Sequence, residues 1–200
     1  MLPVLCLEIN KNELCLDMCA APGSKSGQYL ELIMSKNLNV SDKGGLIANE
    51  LDQKRAFILA HQLARFNSCN FVITNNNVLD IDLDNSFDKI ICDVPCSGDG
   101  AIRKLPDRVK RWSPLDSCSY HNTQCDILTK AIDLLKVNGV VVYSTCSINS
   151  IENEAVVQEV IRRFPGSLEL LDVHKYMPYI KTNKGLKKWL NNKECTSLSR

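Results

Sequence analysis

Two short strings put a cysteine where a hydrophobic run gives way to a polar turn. They are Asp93-Val94-Pro95-Cys96-Ser97-Gly98-Asp99-Gly100 and Tyr143-Ser144-Thr145-Cys146-Ser147. A thiolate is a soft nucleophile, and a thiol with an ordinary pKa of about 8.5 needs neighbours that lower it. Two thiols at neighbouring strand ends suggest covalent catalysis, with one cysteine attacking and the other helping the adduct break down. Ring carbon 6 of a pyrimidine accepts a thiolate, and the adduct makes carbon 5 nucleophilic enough to take a methyl group from a sulfonium. A carboxyl such as Asp93, its pKa raised by burial, would deliver the proton at ring nitrogen 3. The proton left on carbon 5 must then be removed so that the enzyme thiol can leave, and a second cysteine suits that step. Free cysteines are among the most buried side chains. Cys6, Cys15, Cys69, Cys92, Cys118, Cys125 and Cys195 are read as packing, and Cys19 as packing beside the first turn.

These strings need elements that hold them at one edge. Leu14 to Cys19 reads as a buried strand, followed by the turn Ala20-Ala21-Pro22-Gly23-Ser24. From Ser24 the pattern turns helical, with Tyr29, Leu30, Ile33 and Met34 on one face. Leu46 to Ala48 forms a second strand ending at Asn49-Glu50, and Ala56, Leu59, Ala60 and Leu63 mark the next helix. Asn70 to Thr74 and Phe87 to Cys92 supply the third and fourth strands, with Asp93 just past the end of the latter. Ile127, Ala131, Leu134 and Leu135 mark a helix expected to stop before Asn138-Gly139, and Val140 to Tyr143 is the fifth strand. Asn149 with Glu152 three residues later resembles a capping box opening a helix through Val157, Val160, Ile161 and Phe164. Leu168 to Val173 is expected to add one more strand. Strands alternating with helices predict an α/β fold, a mostly parallel sheet with helices on both faces. In such sheets the ligand sits beyond the carboxyl ends of the strands.

The first turn lacks the G-x-G-x-x-G string that brings backbone against a pyrophosphate. A single Gly after a Pro, among small residues, suits a ligand that approaches the backbone without phosphates. Glu50 sits where an acid would hold two ribose hydroxyls. A ribose without phosphates points to S-adenosylmethionine over a nicotinamide dinucleotide. Asn77 either reaches an adenine from the third strand or serves turn chemistry, and the first turn alone would also suit a plain strand-to-helix connection.

Composition excludes other classes. A net charge of +1 argues against a nucleic-acid binder working by charge alone. Ten scattered cysteines form no disulfide framework and place the chain in a reducing, intracellular setting. There is no C-x-x-C pair, and His61, His121 and His174 lie far apart, so no metal site is expected. No apolar run approaches the ~20 residues of a membrane span.

Three strings in this order resemble the NOP/Sun RNA 5-methylcytosine methyltransferases: Leu16-Asp17-Met18-Cys19-Ala20-Ala21-Pro22-Gly23-Ser24-Lys25, Asp93 to Gly100, and Ser144-Thr145-Cys146-Ser147 with Glu152-Asn153-Glu154 behind it. Arg103-Lys104 after Gly100, together with Ile47-Ala48-Asn49-Glu50-x-Asp52-x-Lys54-Arg55, is most similar to the eukaryotic tRNA-methylating branch. The resemblance runs over residues 1–175. It implies a Rossmann-like class I S-adenosylmethionine-dependent methyltransferase acting on RNA, with tRNA the favoured substrate and with no metal. It further implies Cys146 as nucleophile, Cys96 as the release cysteine, Asp93 at the target base and Lys25 near the reaction centre. Cys19, Ala20, Ala21, Pro22, Gly23, Lys25, Glu50, Asn77 and Asp93 would hold the cofactor. In DNA cytosine methyltransferases the Pro-Cys thiol is the nucleophile instead, and the residues alone leave that assignment open. The favoured compartment is nucleus or nucleolus over cytoplasm or mitochondrion.

Departures from the family pattern set further expectations. Asn77 stands where the family has Asp, which predicts weaker cofactor binding. Flanking RNA-binding segments are not seen, and the sheet is expected to lack its last strand, leaving Val140 to Tyr143 as an open edge. The expected organisation is a catalytic core over residues 1–175 and a polar basic tail over 176–200, disordered or truncated. Arg103, Lys104, Arg108, Lys110 and Arg111 either contact phosphates or form a solvated loop, and Trp112 either stacks on a base or anchors that loop. The alternative function is a silent fragment that binds cofactor or a partner without turnover.

Overall fold

The computed structural model describes residues 2–36, 44–104, 106–107, 110, 112–175 and 177–186. Five strands form one sheet: β1 (Leu14–Asp17), β2 (Gly45–Asn49), β3 (Phe71–Thr74), β4 (Phe87–Asp93) and β5 (Leu135–Ser144). Their order is β3-β2-β1-β4-β5, and every pair is parallel. The chain moves outward from β1 to β3, then returns to place β4 on the other side of β1. That reversal is the switch point at which parallel sheets leave a crevice beyond their strand ends. Helices occupy the connections: α1 (Leu2–Leu5), α2 (Ser24–Met34), α3 (Gln53–Ala64), α4 (Pro114–Leu134) and α5 (Glu154–Arg163).

Parallel registration puts paired residues on the same face of the sheet, and faces alternate along each strand. One face carries Cys15, Leu46, Ala48 and Ile91, which pack with Val4, Leu7, Tyr29, Leu30, Ile33, Leu59 and Leu63 into the main apolar core. Leu16, Ile90 and Cys92, on the opposite face, are also fully buried. Both faces are therefore covered, which explains why these strands read as continuous apolar runs.

The chain divides into two compact units. The first holds Met1–Val94 with Ile127–Ser144 and contains the whole sheet; the second holds Pro95–Asp126 and the described part of Thr145–Arg200.

Several sequence expectations shift. The helix before Asn138-Gly139 ends at Leu134, because Leu135 already pairs with Phe87. The next paired residue on β5 is Val140 opposite Lys89, so Lys136 to Gly139 loop out of the ladder and Asn138 takes a left-handed φ of 66°. Asn149 and Glu152 do not form a capping box: α5 begins at Glu154 behind Asn153, and the Glu152 carboxylate is engaged elsewhere. Leu168 to Val173 is no strand. These residues form irregular, mostly exposed chain ending in a 3-10 turn at Val173–Lys175. Among the described residues β5 borders the sheet.

α3 starts on a side-chain cap. The Asp52 carboxylate accepts a hydrogen bond from Arg55 N at 2.8 Å, satisfying one of the donors that a helix N-terminus leaves open. Asp52→Ala is expected to lower stability by about 1 kcal/mol, read from the urea midpoint, with the cooperativity of unfolding unchanged.

Candidate functional site

The first unit gathers charge where β1 and β4 end. Asp17 pairs at the level of Ile91, so Asp93, two residues further along β4, lies on the same face. α2 starts directly after the first turn and aims two side chains at these acids. Lys25 Nζ donates to Asp93 Oδ2 at 2.7 Å, and Ser26 Oγ donates to Asp17 Oδ2 at 2.6 Å. Ser144, opposite Asp93 on β5, donates to its other oxygen at 2.7 Å. Asp93 thus accepts a hydrogen bond on each oxygen, from Lys25 and from Ser144, and forms a half-buried ion pair with Lys25.

Asp17 differs. It is fully buried, and its Oδ1 has no hydrogen-bond partner. Burial, only partly offset by the Ser26 hydrogen bond, pushes its pKa from 3.8 up to about 7. A buried acceptor without a donor costs stability and marks a place where a ligand donor, such as an amine, fits.

The first turn is braced from β2 and α3. The buried Glu50 accepts from Ala21 N at 3.2 Å and from Asp52 N at 3.1 Å, while Arg55 donates to the Ala21 carbonyl at 2.7 Å. Gly23 adopts φ 105°, and a Cβ there would sit 3.1 Å from Leu59 Cδ1, so the turn demands glycine. Cys19 is packed beside it, and burial drives its thiol up to about 12. Asn49 closes the strand ends by donating to the carbonyls of Met18 and Asn76 and accepting from Thr74.

Beside these strand ends lies a cavity of about 340 Å³, with Leu16, Ile47 and Phe87 as apolar lining and Thr74, Asn76 and Asn77 as polar lining. Its size matches a small-molecule site, roughly 300–1,000 Å³. Asn77 lines it while its side chain accepts from Leu79 N, so turn chemistry and a cavity position coexist in one residue. Asp80 and Asp82 also line the cavity, whereas Glu50 and the orphaned Asp17 oxygen stand at the strand ends outside its lining.

The second unit holds both thiols. Cys96 Sγ and Cys146 Sγ stand 3.2 Å apart, and Cys146 N approaches Cys96 Sγ at 3.4 Å. Cys146 is exposed and Cys96 half-buried. Burial, then the contact with Cys146, pushes the Cys96 thiol up to about 12. The backbone crosses closely here: Gly100 N donates to the Cys146 carbonyl at 2.9 Å, and a Cβ on Gly100 would come within 2.7 Å of that oxygen. Asp99 accepts from Ile148 N at 2.8 Å, and Asn153 ties Thr145 to the carbonyls of Ser147 and Asn149. Under both strings runs the buried Glu152, bonded to Ser97, Ser117, Ser147 and Gln124.

The structure brings the Cys96 and Cys146 thiols together, pairs Lys25 with Asp93, sets Glu50 against the first turn and places Asn77 at the cavity. The sequence reading leaves out Ser26 and Gln124, and Asp17 as a separate acid, while Asn49, Arg55 and Ser144 enter it only within a matching string. Glu152 carried a signal that was read as a cap. In the basic loop, Arg103 and Lys104 are exposed, Lys110 pairs with Asp107 at 3.2 Å, and Trp112 is exposed. Arg108 and Arg111 lie outside the described residues.

A family profile described as 16S rRNA methyltransferase RsmB/F matches residues 4–189. The chain is 41% identical over 219 residues to the multisite-specific tRNA:(cytosine-C(5))-methyltransferase trm4b of Schizosaccharomyces pombe, covering 94% of this chain and 32% of that protein. It is 39% identical over 201 residues to the tRNA (cytosine(34)-C(5))-methyltransferase of Drosophila melanogaster, covering 94% and 27%. The chain therefore spans about a third of the length of these relatives. Among solved structures, NSun6 from Pyrococcus horikoshii, solved with the S-adenosylmethionine analogue SFG, superposes with a TM-score of 0.70 at 26% identity, covering 81% of this chain and 40% of that one.

Two outcomes follow from the geometry. Iodoacetamide at roughly pH 8 is expected to alkylate Cys146 well before Cys96, because only the thiolate reacts and exposure favours Cys146; peptide mapping by mass spectrometry reads the order. For Asp17, the folded state holds a proton that the unfolded state has lost between about pH 4 and 7, so its contribution to stability falls as pH rises through that window. Asp17→Asn removes this titration. Urea midpoints across roughly pH 4.5–7.5 should fall for the wild type relative to the variant, and parallel curves would refute the assignment.

Proposed function

The chain belongs to the 16S rRNA methyltransferase RsmB/F family, and from that membership we propose that it methylates carbon 5 of cytosine in RNA, tRNA foremost, through a covalent cysteine adduct. The observation that carries the reading is the thiol pair: a nucleophile and a release base acting on adjacent ring carbons must share one small space, and the two Sγ atoms are 3.2 Å apart.

S-adenosylmethionine, when bound, supplies a methyl group on a sulfonium. Thr74, Asn76 and Asn77 would line the base, Glu50 would accept ribose hydroxyls, the backbone at Cys19 to Gly23 would border the chain of the ligand, and Asp17 would receive its amine. Asp17 then gains the partner it lacks, and its carboxylate is favoured by the opposite charge.

Division of labour between the thiols follows from their settings. Cys96, pushed up to about 12, resists ionisation and starts protonated. Cys146, exposed at the turn, is the attacking member, and its sulfur forms the bond to ring carbon 6. Lys25 carries the proton needed at nitrogen 3, while Asp93 accepts from the exocyclic amine. After methylation, Cys96 Sγ, having given its own proton to solvent, takes the carbon 5 proton, and the nitrogen 3 proton returns to Lys25. The electron pair of that carbon–hydrogen bond restores the ring double bond and expels the Cys146 thiolate. The target nucleotide must leave its stack for this, since carbon 6 is closed inside a helix. Exposed Arg103 and Lys104 would meet phosphates.

Trapping on tRNA containing 5-fluorocytosine tests the reading, since fluorine at carbon 5 blocks release. With S-adenosylmethionine present, the wild type and Cys96→Ala are expected to accumulate a covalent adduct, and Cys146→Ala to form none. Loss of the adduct only in Cys96→Ala would move the nucleophile to the Pro-Cys string. No adduct from a folded wild type that binds the cofactor would favour the silent-fragment alternative.

A further inference from the structure

Glu152 is fully buried, yet it is an acid. A buried carboxylate survives only where donors replace water. Here at least five do. Oε1 accepts from the hydroxyls of Ser97, Ser117 and Ser147, the latter two at 2.8 Å, and Oε2 accepts from Ser97 N at 2.8 Å and Gln124 Nε2 at 3.0 Å. These donors depress its pKa although burial works the other way.

The origin of the donors matters more than their number. Ser97 follows Cys96 and Ser147 follows Cys146, so a single oxygen, Oε1, holds the residue after each thiol. Gln124, from α4, also donates to the Pro95 carbonyl at 2.9 Å, which fixes the residue before Cys96. Both acceptors require the amide nitrogen at this position, so the Gln124 orientation is settled by its partners. Cys96 is thereby gripped on both sides, and Cys146 on one, by a network centred on one carboxylate. Glu152 acts through the backbone that carries the thiols.

We propose that Glu152 is a positioning residue, whose buried carboxylate joins the Pro-Cys and Thr-Cys strings and sets the separation of Cys96 and Cys146. The inference rests on the methyl-transfer reading for its consequence in catalysis, but the separation itself is a property of the free chain. A carboxylate suits the task because it accepts from several donors at once, whereas glutamine would present hydrogens to groups that are already donating. Glu152→Gln keeps the volume, loses the charge and turns part of the network against itself.

The test uses dibromobimane, which becomes fluorescent when it bridges two nearby thiols, with mass spectrometry identifying the Cys96–Cys146 bridged peptides. Cys96→Ala and Cys146→Ala supply the background. Glu152→Gln is expected to slow this bridge about tenfold or more while its urea unfolding stays cooperative. In turnover, kcat should fall by up to about 100-fold with KM for tRNA unchanged, because misplacement of reacting groups by about 1 Å has that effect. A bridge formed at the wild-type rate in folded Glu152→Gln overturns the proposal. If Glu152→Gln fails to fold, Ser117→Ala decides: it deletes one donor to Oε1 outside both strings, and the proposal requires slower bridging there too, an unchanged rate overturning it. Failure of the methyl-transfer reading shows separately, as absence of the 5-fluorocytosine adduct in a wild type whose thiols still bridge.

Discussion

Parallel pairing of β1 with β4 is the constraint on which the sheet-edge chemistry depends. β1 and β4 are distant in sequence, and only the reversal of strand order makes them neighbours. Their register then decides which side chains meet. With Asp17 level with Ile91, Asp93 falls on the same face one pleat further along, and the start of α2 offers Lys25 and Ser26 to that face. A slip of one residue would send Asp93 to the opposite face. Burial on both faces of β1 and β4 makes such a slip costly, since it would expose one apolar set and bury the acid among the other. The apolar core thus holds a polar edge in place without touching it.

Two buried acids show how differently one chemical group can be used. Asp17 and Glu152 are both sealed from solvent. Asp17 has a donor on one oxygen and none on the other, and its pKa climbs to about 7. Glu152 is surrounded by hydroxyl, amide and backbone donors, and its pKa is lowered. Burial raises both, and at Glu152 the Ser97, Ser117 and Ser147 hydrogen bonds outweigh it, whereas at Asp17 the Ser26 bond does not. An acid left short of donors is fitted to receive one from outside. An acid supplied to capacity has no room for a ligand and serves the scaffold. The difference separates a binding group from a positioning group on physical grounds.

Legibility in the sequence follows the same line between local and distant causes. The strand and helix order was readable because buried parallel strands are short apolar runs and α2 and α3 show a helical period. The thiol strings were readable because each ends such a run. Glu152 was visible only as the fourth residue of an Asn-x-x-Glu string, which is the local pattern of a cap. Apart from Ser147, its partners are 28, 35 and 55 residues away along the chain, a distance no spacing rule spans. Leu168 to Val173 failed for the converse reason: its apolar content suits a strand, but a strand is stable only with a neighbour, and the segment runs without one. Asp17 is legible only as part of a motif, because burial, not type, gives it its character as an acid.

The thiol pair brings these strands of argument together. Neither cysteine has a cation against it among the described contacts, so neither is activated in the manner of a Cys–His couple. Close approach of two like-charging groups disfavours double ionisation, and whichever thiol is more buried bears that cost. Exposure distinguishes the two: Cys146 is exposed, while burial and the contact with Cys146 push the half-buried Cys96 thiol up to about 12. Such an asymmetry is useful only if it persists, because a pair free to separate or exchange places would lose it. The Gly100 approach to the Cys146 carbonyl and the Asn153 bonds around Thr145 fix one string, and Glu152 ties it to the other. Geometry held from outside the two thiols is what keeps their settings different.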